Sequence, residues 1–162
     1  MKRLRIYLET SVISHLDAPD RPEWMQDTLR LWDLIKTGEY EVCLSPAVMA
    51  EIDRCEEPKH STLVERLGEI LYTELVETEE VLALAAQYLK AGIMPKRSNR
   101  DRQHVAYAVV NHCDIIVSWN FSHIVNHKTI SGVKGVNALA GYKEMLIYSP
   151  TILVGGGTDD DS

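Results

Sequence analysis

No apolar run in the 162-residue chain approaches the roughly 20 residues that cross a bilayer. Cysteine is scarce: Cys43, Cys55 and Cys113 stand far apart, and none belongs to a Cys-x-x-Cys pair. That spacing argues against a disulfide framework or a cysteine zinc site and favours buried free thiols. Basic excess is also missing. A formal net charge of −7 argues against a general nucleic-acid binder, though a local basic strip beside an acidic pocket remains compatible with it. Neither an internal repeat nor a linker interrupts residues 1–150. The basic start, MKRLRIYLETS, has too short an apolar stretch for a signal peptide and meets Glu9 at once, so a cytoplasmic protein is expected. The closing GGGTDDDS has no apolar content, and residues 151–162 read as an acidic, disordered tail.

What is present reads as alternating strands and helices. Residues 4–8 form an apolar strand. Trp24, Leu29, Trp32, Leu34 and Ile35 recur at helical spacing over 22–36, with Pro22 in the first turn and Gly38 beyond the end. A strand is expected over Glu41–Leu44, then a helix over 46–55 behind the Ser45-Pro46 start. A helix over 60–70, a strand over Leu71–Val76 and a helix from Thr78 to Gly92 follow. After the basic loop IMPKRSNR come a helix over 101–112, a strand over Ile115–Ser118, a helical segment near 121–127, a helix over 133–141 and a strand over Met145–Tyr148. Strands separated by helices imply a three-layer α/β/α domain around a parallel sheet of about five strands.

Ligands of such sheets bind outside the carboxyl ends of the strands. Glu9 follows the first strand directly, and Asn120 follows the fourth by two residues. Glu51 lies about two turns into the helix that leaves the second strand, and Asp101 opens the helix before the fourth. Asp114 precedes the fourth strand and belongs to the opposite edge, on the order of 15 Å away. Three carboxylates and an amide oxygen would make an all-oxygen site suited to Mg²⁺ or Mn²⁺. The chemistry such a cluster supports is in-line attack of activated water on a phosphodiester. Singly, each residue has a plainer reading: Glu51 as a surface charge, Asp101 as a helix cap, Asn120 as a turn residue. Glu9 resists one, because a carboxylate ending a buried strand is costly unless paired.

Four stretches, in order, resemble the motifs of the PIN-domain family: YLETSVIS, SPAVMAEI, DRQHVAYAVVNHCDIIVSWNFSHIVN and GVNALAGYKEMLIYSP. The resemblance runs over about residues 4–150. It implies a parallel sheet flanked by helices and a metal-dependent endoribonuclease, of which many members are toxins of the VapC type neutralised by an antitoxin. Carried over by position, it implies a metal-binding and catalytic quartet of Glu9, Glu51, Asp101 and Asn120. Thr10 or Ser11 would be the supporting hydroxyl, and a homodimer is a frequent arrangement in the family. Two positions depart from the pattern. Glu9 stands where Asp is usual, which moves the carboxylate by about 1.5 Å. Asn120 stands where Asp is frequent, which leaves three formal negative charges in the quartet.

His104 falls one turn after Asp101 and reads as a buttress for it rather than as a ligand. His123 and His127 have zinc-ligand spacing but lack a third ligand, and Trp119 reads as packing more readily than as a base-stacking surface. Lys96, Arg97, Arg100 and Arg102 crowd the entrance to the Asp101 helix, where they either hold RNA phosphates or form an ordinary solvated run. A non-catalytic PIN-like domain that binds RNA or a protein is the alternative, favoured by Glu9 and Asn120. A phosphatase or receiver-type site, which needs an Asp at the strand tip, fits Glu9-Thr10-Ser11 poorly.

Overall fold

A computed structural model describes residues 2–155. Five strands form one all-parallel sheet: β1 (Leu4–Leu8), β2 (Tyr40–Leu44), β3 (Thr73–Glu74), β4 (Ile115–Val117) and β5 (Leu146–Tyr148). Their order across the sheet is β3-β2-β1-β4-β5. Ile6, Tyr7 and Leu8 are all buried, as are Ile115, Ile116 and Val117. Successive strand residues point to opposite faces, so both faces of the sheet are covered.

The helices are α1 (Thr10–Ser14), α2 (Pro22–Lys36), α3 (Pro46–Asp53), α4 (Lys59–Leu67), α5 (Glu79–Lys90), α6 (Asn99–Val110), α7 (His127–Ala140) and α8 (Pro150–Leu153), with a 3-10 turn at His15–Asp17. Their starts follow local chemistry. Ser45 caps α3 by accepting from Val48 N, Thr78 caps α5 from Val81 N, and Asn126 caps α7 from Thr129 N. Among the described residues, no helix is long and apolar enough to cross a membrane.

Four local readings of the sequence are corrected. The third strand shrinks to Thr73–Glu74 at the sheet edge, with Leu71 94% and Val76 68% exposed outside it. A short edge strand presents few unpaired backbone groups for a second chain to pair with. The segment near 121–127 is a turn. Ile124 N and Val125 N both donate to the Asn120 carbonyl, and the Asn126 amide donates to the carbonyls of Phe121 and Ser122. Asn126 is itself extended, so the helix begins only at His127. A short helix, α1, starts immediately after Glu9. At the other end, α8 occupies Pro150–Leu153, and Thr151 Oγ1 donates to Asp27 at 2.7 Å. Ordered chain therefore continues past residue 150, and the rest of the expected tail, 156–162, lies outside the described residues.

The connections place a crevice. From β1 the chain moves outward to β2 and β3, then returns to the other side of β1 for β4 and β5. Strand order reverses between β1 and β4, and their carboxyl ends bound the switch point where open sheets bind ligands. Asp114 is at the far edge, accepting from Arg5 N at 2.8 Å near the start of β1.

Candidate functional site

Glu9 continues the β1–β4 ladder, its N–H donating to Val117 O at 3.0 Å, before the chain turns into α1. Its side chain is buried, 5% exposed, and accepts three hydrogen bonds. Glu9 Oε1 accepts from Ser11 Oγ at 2.6 Å and from Ser118 Oγ at 2.5 Å, and Oε2 accepts from Ser11 N at 3.1 Å. The carboxylate thus caps α1 and ties it to the end of β4. Ser118, missed as a site residue, then accepts from Asn120 N at 2.9 Å, and Ser11 Oγ accepts from Trp119 N at 2.8 Å.

Glu51 enters from α3 and is held from two sides. Its Oε1 accepts from Thr10 Oγ1 and pairs with His104 Nε2 at 2.9 Å. His104 is completely buried, and its Nδ1 lies 2.6 Å from Tyr7 OH, which lies 2.6 Å from Ser45 Oγ. Glu51, a carboxylate, accepts from His104 Nε2; with a neutral His104 ring Tyr7 donates to Nδ1 and Ser45 to Tyr7, and with a charged ring Nδ1 donates to Tyr7 and Tyr7 to Ser45. Burial pushes the Tyr7 hydroxyl well above its usual range, so it remains a donor. Burial also pushes the Glu51 carboxyl up. The hydrogen bonds from His104 and Thr10, with the charges of His104 and Arg100, outweigh that and leave it below its ordinary value. His104, read from sequence as a buttress for Asp101, instead orients Glu51, and both of its ring nitrogens are occupied.

Ligating atoms of Glu9, Glu51 and His104 lie within 4.8 Å of one another. With His104 committed, the free acceptor capacity belongs to the two carboxylates. Glu9 Oε2 keeps a lone pair, and among the described residues Glu51 Oε2 has no hydrogen-bond donor. Two carboxylates this close repel unless a cation lies between them. Oxygen donors on both sides suit a hard divalent ion such as Mg²⁺ or Mn²⁺.

Asp101 and Asn120 stand in a second, adjoining group. Asp101, in the first turn of α6, pairs through Oδ2 with His123 Nδ1 at 3.0 Å. Asn120 Oδ1 accepts from His123 N at 2.9 Å. His123 therefore joins two residues of the expected quartet, a role that its spacing from His127 had concealed. A cavity of about 600 Å³, lined by Ile93, Met94, Pro95, His123 and Asn126 among others, touches this group through His123 and does not reach Glu9 or Glu51.

The basic strip divides. Lys96 and Arg97 are exposed, and Arg100 is half-buried near Glu51. Arg102 is corrected outright as a candidate RNA contact. It is completely buried and donates to the carbonyls of Ile93 (3.3 Å), Pro95 (2.7 Å) and Lys96 (2.7 Å). Its guanidinium fork folds the basic loop from beneath and faces no solvent.

No family model matches the chain, and no curated protein matches it. Among solved structures, a chain of VapBC2 from Rickettsia felis, crystallised bound to a DNA fragment from their promoter, shares the fold with a TM-score of 0.54. Identity is 11%, and the match covers 90% of this chain and 98% of that one. At that identity the likeness is one of architecture.

Proposed function

We propose that the protein is a divalent-metal-dependent endoribonuclease of the PIN type. The observation that carries this reading is the pair of carboxylates with acceptor capacity left over, Glu9 and Glu51, meeting at the switch point of a five-stranded parallel sheet. The fold shared with the VapBC2 chain supports it, as do the PIN-like motifs. By the same likeness, the protein would be the toxin of a toxin–antitoxin pair, cytoplasmic, with an antitoxin as partner and a homodimeric arrangement.

Glu9 and Glu51 would hold the metal, with Asp101 and Asn120 at the rim of the pocket. A Mg²⁺ or Mn²⁺ ion bound there would supply Lewis acidity toward the phosphodiester and lower the pKa of water. The remaining work falls to the chain. Ser11 and Ser118 fix the Glu9 carboxylate, and Thr10 and His104 fix that of Glu51, so neither reorganises when substrate arrives. Arg100, with the exposed Lys96 and Arg97, would draw RNA phosphates to the pocket edge.

One observation favours a second reading, a PIN-like module that binds RNA or protein without cutting. Asp101 and Asn120 both spend side-chain oxygens on His123, which leaves fewer groups facing a metal. One experiment separates the two: cleavage of a mixed-structure RNA by wild type and Glu51→Gln in Mn²⁺ and in chelator. The nuclease reading expects cleavage by wild type, none in chelator, and a severe loss in Glu51→Gln, with unchanged circular dichroism. Full activity in Glu51→Gln would sink it, and RNA retained uncut by wild type would establish the binding module.

A further inference from the structure

A layered group of rings borders the carboxylates. Trp119 is buried, 3% exposed, and stacks on Trp24 with centroids 4.6 Å apart and planes 6° off parallel. Its indole N–H donates to Thr28 Oγ1 at 2.8 Å, and its backbone N–H donates to Ser11 Oγ, the hydroxyl that also holds Glu9. The Arg21 guanidinium lies over Trp24 at 4.6 Å from its centroid. Phe121, the only phenylalanine in the chain, is 43% exposed. It meets Trp24 at 58° and Trp119 at 63°, so neither of its faces is covered by a parallel ring from these neighbours.

We propose that Phe121, which meets the same Trp24 ring that Arg21 covers, is a stacking platform for an unpaired nucleobase of the RNA bound at the carboxylate pocket. The proposal rests on reading that pocket as an RNA site. Three features carry it. First, Phe121 is fixed in register with the pocket. It follows Asn120 directly, and its backbone N–H donates to Trp119 O at 2.9 Å, within the turn that Ser118 and Ser11 tie to Glu9. Second, the platform is preorganised. The Phe121 ring is packed 5.5 Å from Trp24 and 6.2 Å from Trp119, centroid to centroid, so an incoming base orders little that is not already ordered. Third, the cation is available. Arg21 is exposed, lies over the Trp24 ring that Phe121 meets, and forms no ion pair among the described residues, so its charge is available to a phosphate of the same strand. Every base offers a π-face, so the platform would accept bases with little regard to sequence and would require them unpaired.

Titration of the full chain into a single-stranded oligoribonucleotide carrying one 2-aminopurine, in chelator to prevent cleavage, tests the platform. Wild type should quench the fluorophore. Phe121→Ala should lose the quenching and bind about tenfold more weakly, or worse, and Phe121→Trp should restore both. Arg21→Ala should flatten the dependence of log affinity on log salt by about 0.7, the value for one phosphate contact on a single strand. Equal quenching and affinity in wild type and Phe121→Ala would overturn the platform, as would failure of wild type to bind. The nuclease reading fails separately. A wild type that binds and quenches yet never cleaves in Mn²⁺ would discard cleavage and keep the platform. Cleavage with an unchanged KM in Phe121→Ala would discard the platform alone.

Discussion

Glu51→Gln is expected to lower Mn²⁺-dependent RNA cleavage at least about a hundredfold. Loss of a partner that merely orients a metal ligand costs about 10–100-fold, and Glu51 is placed as a ligand itself. Gln keeps an acceptor oxygen for Thr10 and His104, so the network around it should persist while the charge is lost. Acid stability gives the same substitution a second readout, one that needs no metal. In the folded protein the Glu51 carboxyl lies below its ordinary value of 4.5. A depressed carboxylate contributes stability above its unfolded pKa and loses it as pH falls through the folded one. Wild type should therefore lose more stability than Glu51→Gln between about pH 7 and about pH 3, measured by urea unfolding at each pH. An identical loss in both proteins would mean that the His104 and Thr10 bonds do not hold the carboxylate in its charged form.

Arg102→Ala should cost about 3 kcal/mol of stability, because each buried carbonyl left without its donor costs about 1–3 kcal/mol. At about 2–4 °C per kcal/mol for a chain of this size, the thermal midpoint should fall by roughly 6–12 °C. The guanidinium is not perfectly housed: Nε has no partner, the only such buried side-chain nitrogen or oxygen among the described residues. Its three carbonyl bonds offset that orphan. The salt dependence of RNA binding should not change in this variant. A midpoint shift under about 2 °C, with a flatter salt slope, would return Arg102 to the solvent-facing strip.

The misreading of Arg102 marks where sequence stops being informative. In KRSNRDR, four cations look alike, and nothing local distinguishes one that turns inward to three carbonyls from three that stay near the surface. The strands expected at 4–8, 41–44 and 115–118 were legible because each contains a short apolar run bounded by polar residues: Ile6–Leu8, Val42–Leu44 and Ile115–Val117. Strand order then placed Glu9 and Asn120 at one crevice. Glu9 stood out because its cost inside a buried strand end demanded a partner. The partner itself, Ser118, was not legible: a serine 109 positions away becomes a donor only once β1 and β4 lie side by side. The same holds for His104, whose choice of Glu51 over Asp101 depends on how α3 and α6 approach each other. The spacing of His123 and His127 suggested a helical pair, whereas Asn120 and Asn126 hold that stretch as a turn and direct His123 to Asp101.

The central claim is that Glu9 and Glu51 hold one divalent cation between them. Anomalous diffraction from crystals soaked in Mn²⁺ tests it most directly. The account predicts a peak bonded to one oxygen of each carboxylate, within the roughly 2.0–2.6 Å of hard-cation contacts, and no peak there in Glu51→Gln. Full soaking with no density between the two carboxylates, or a peak only at Asp101 and His123, would contradict it.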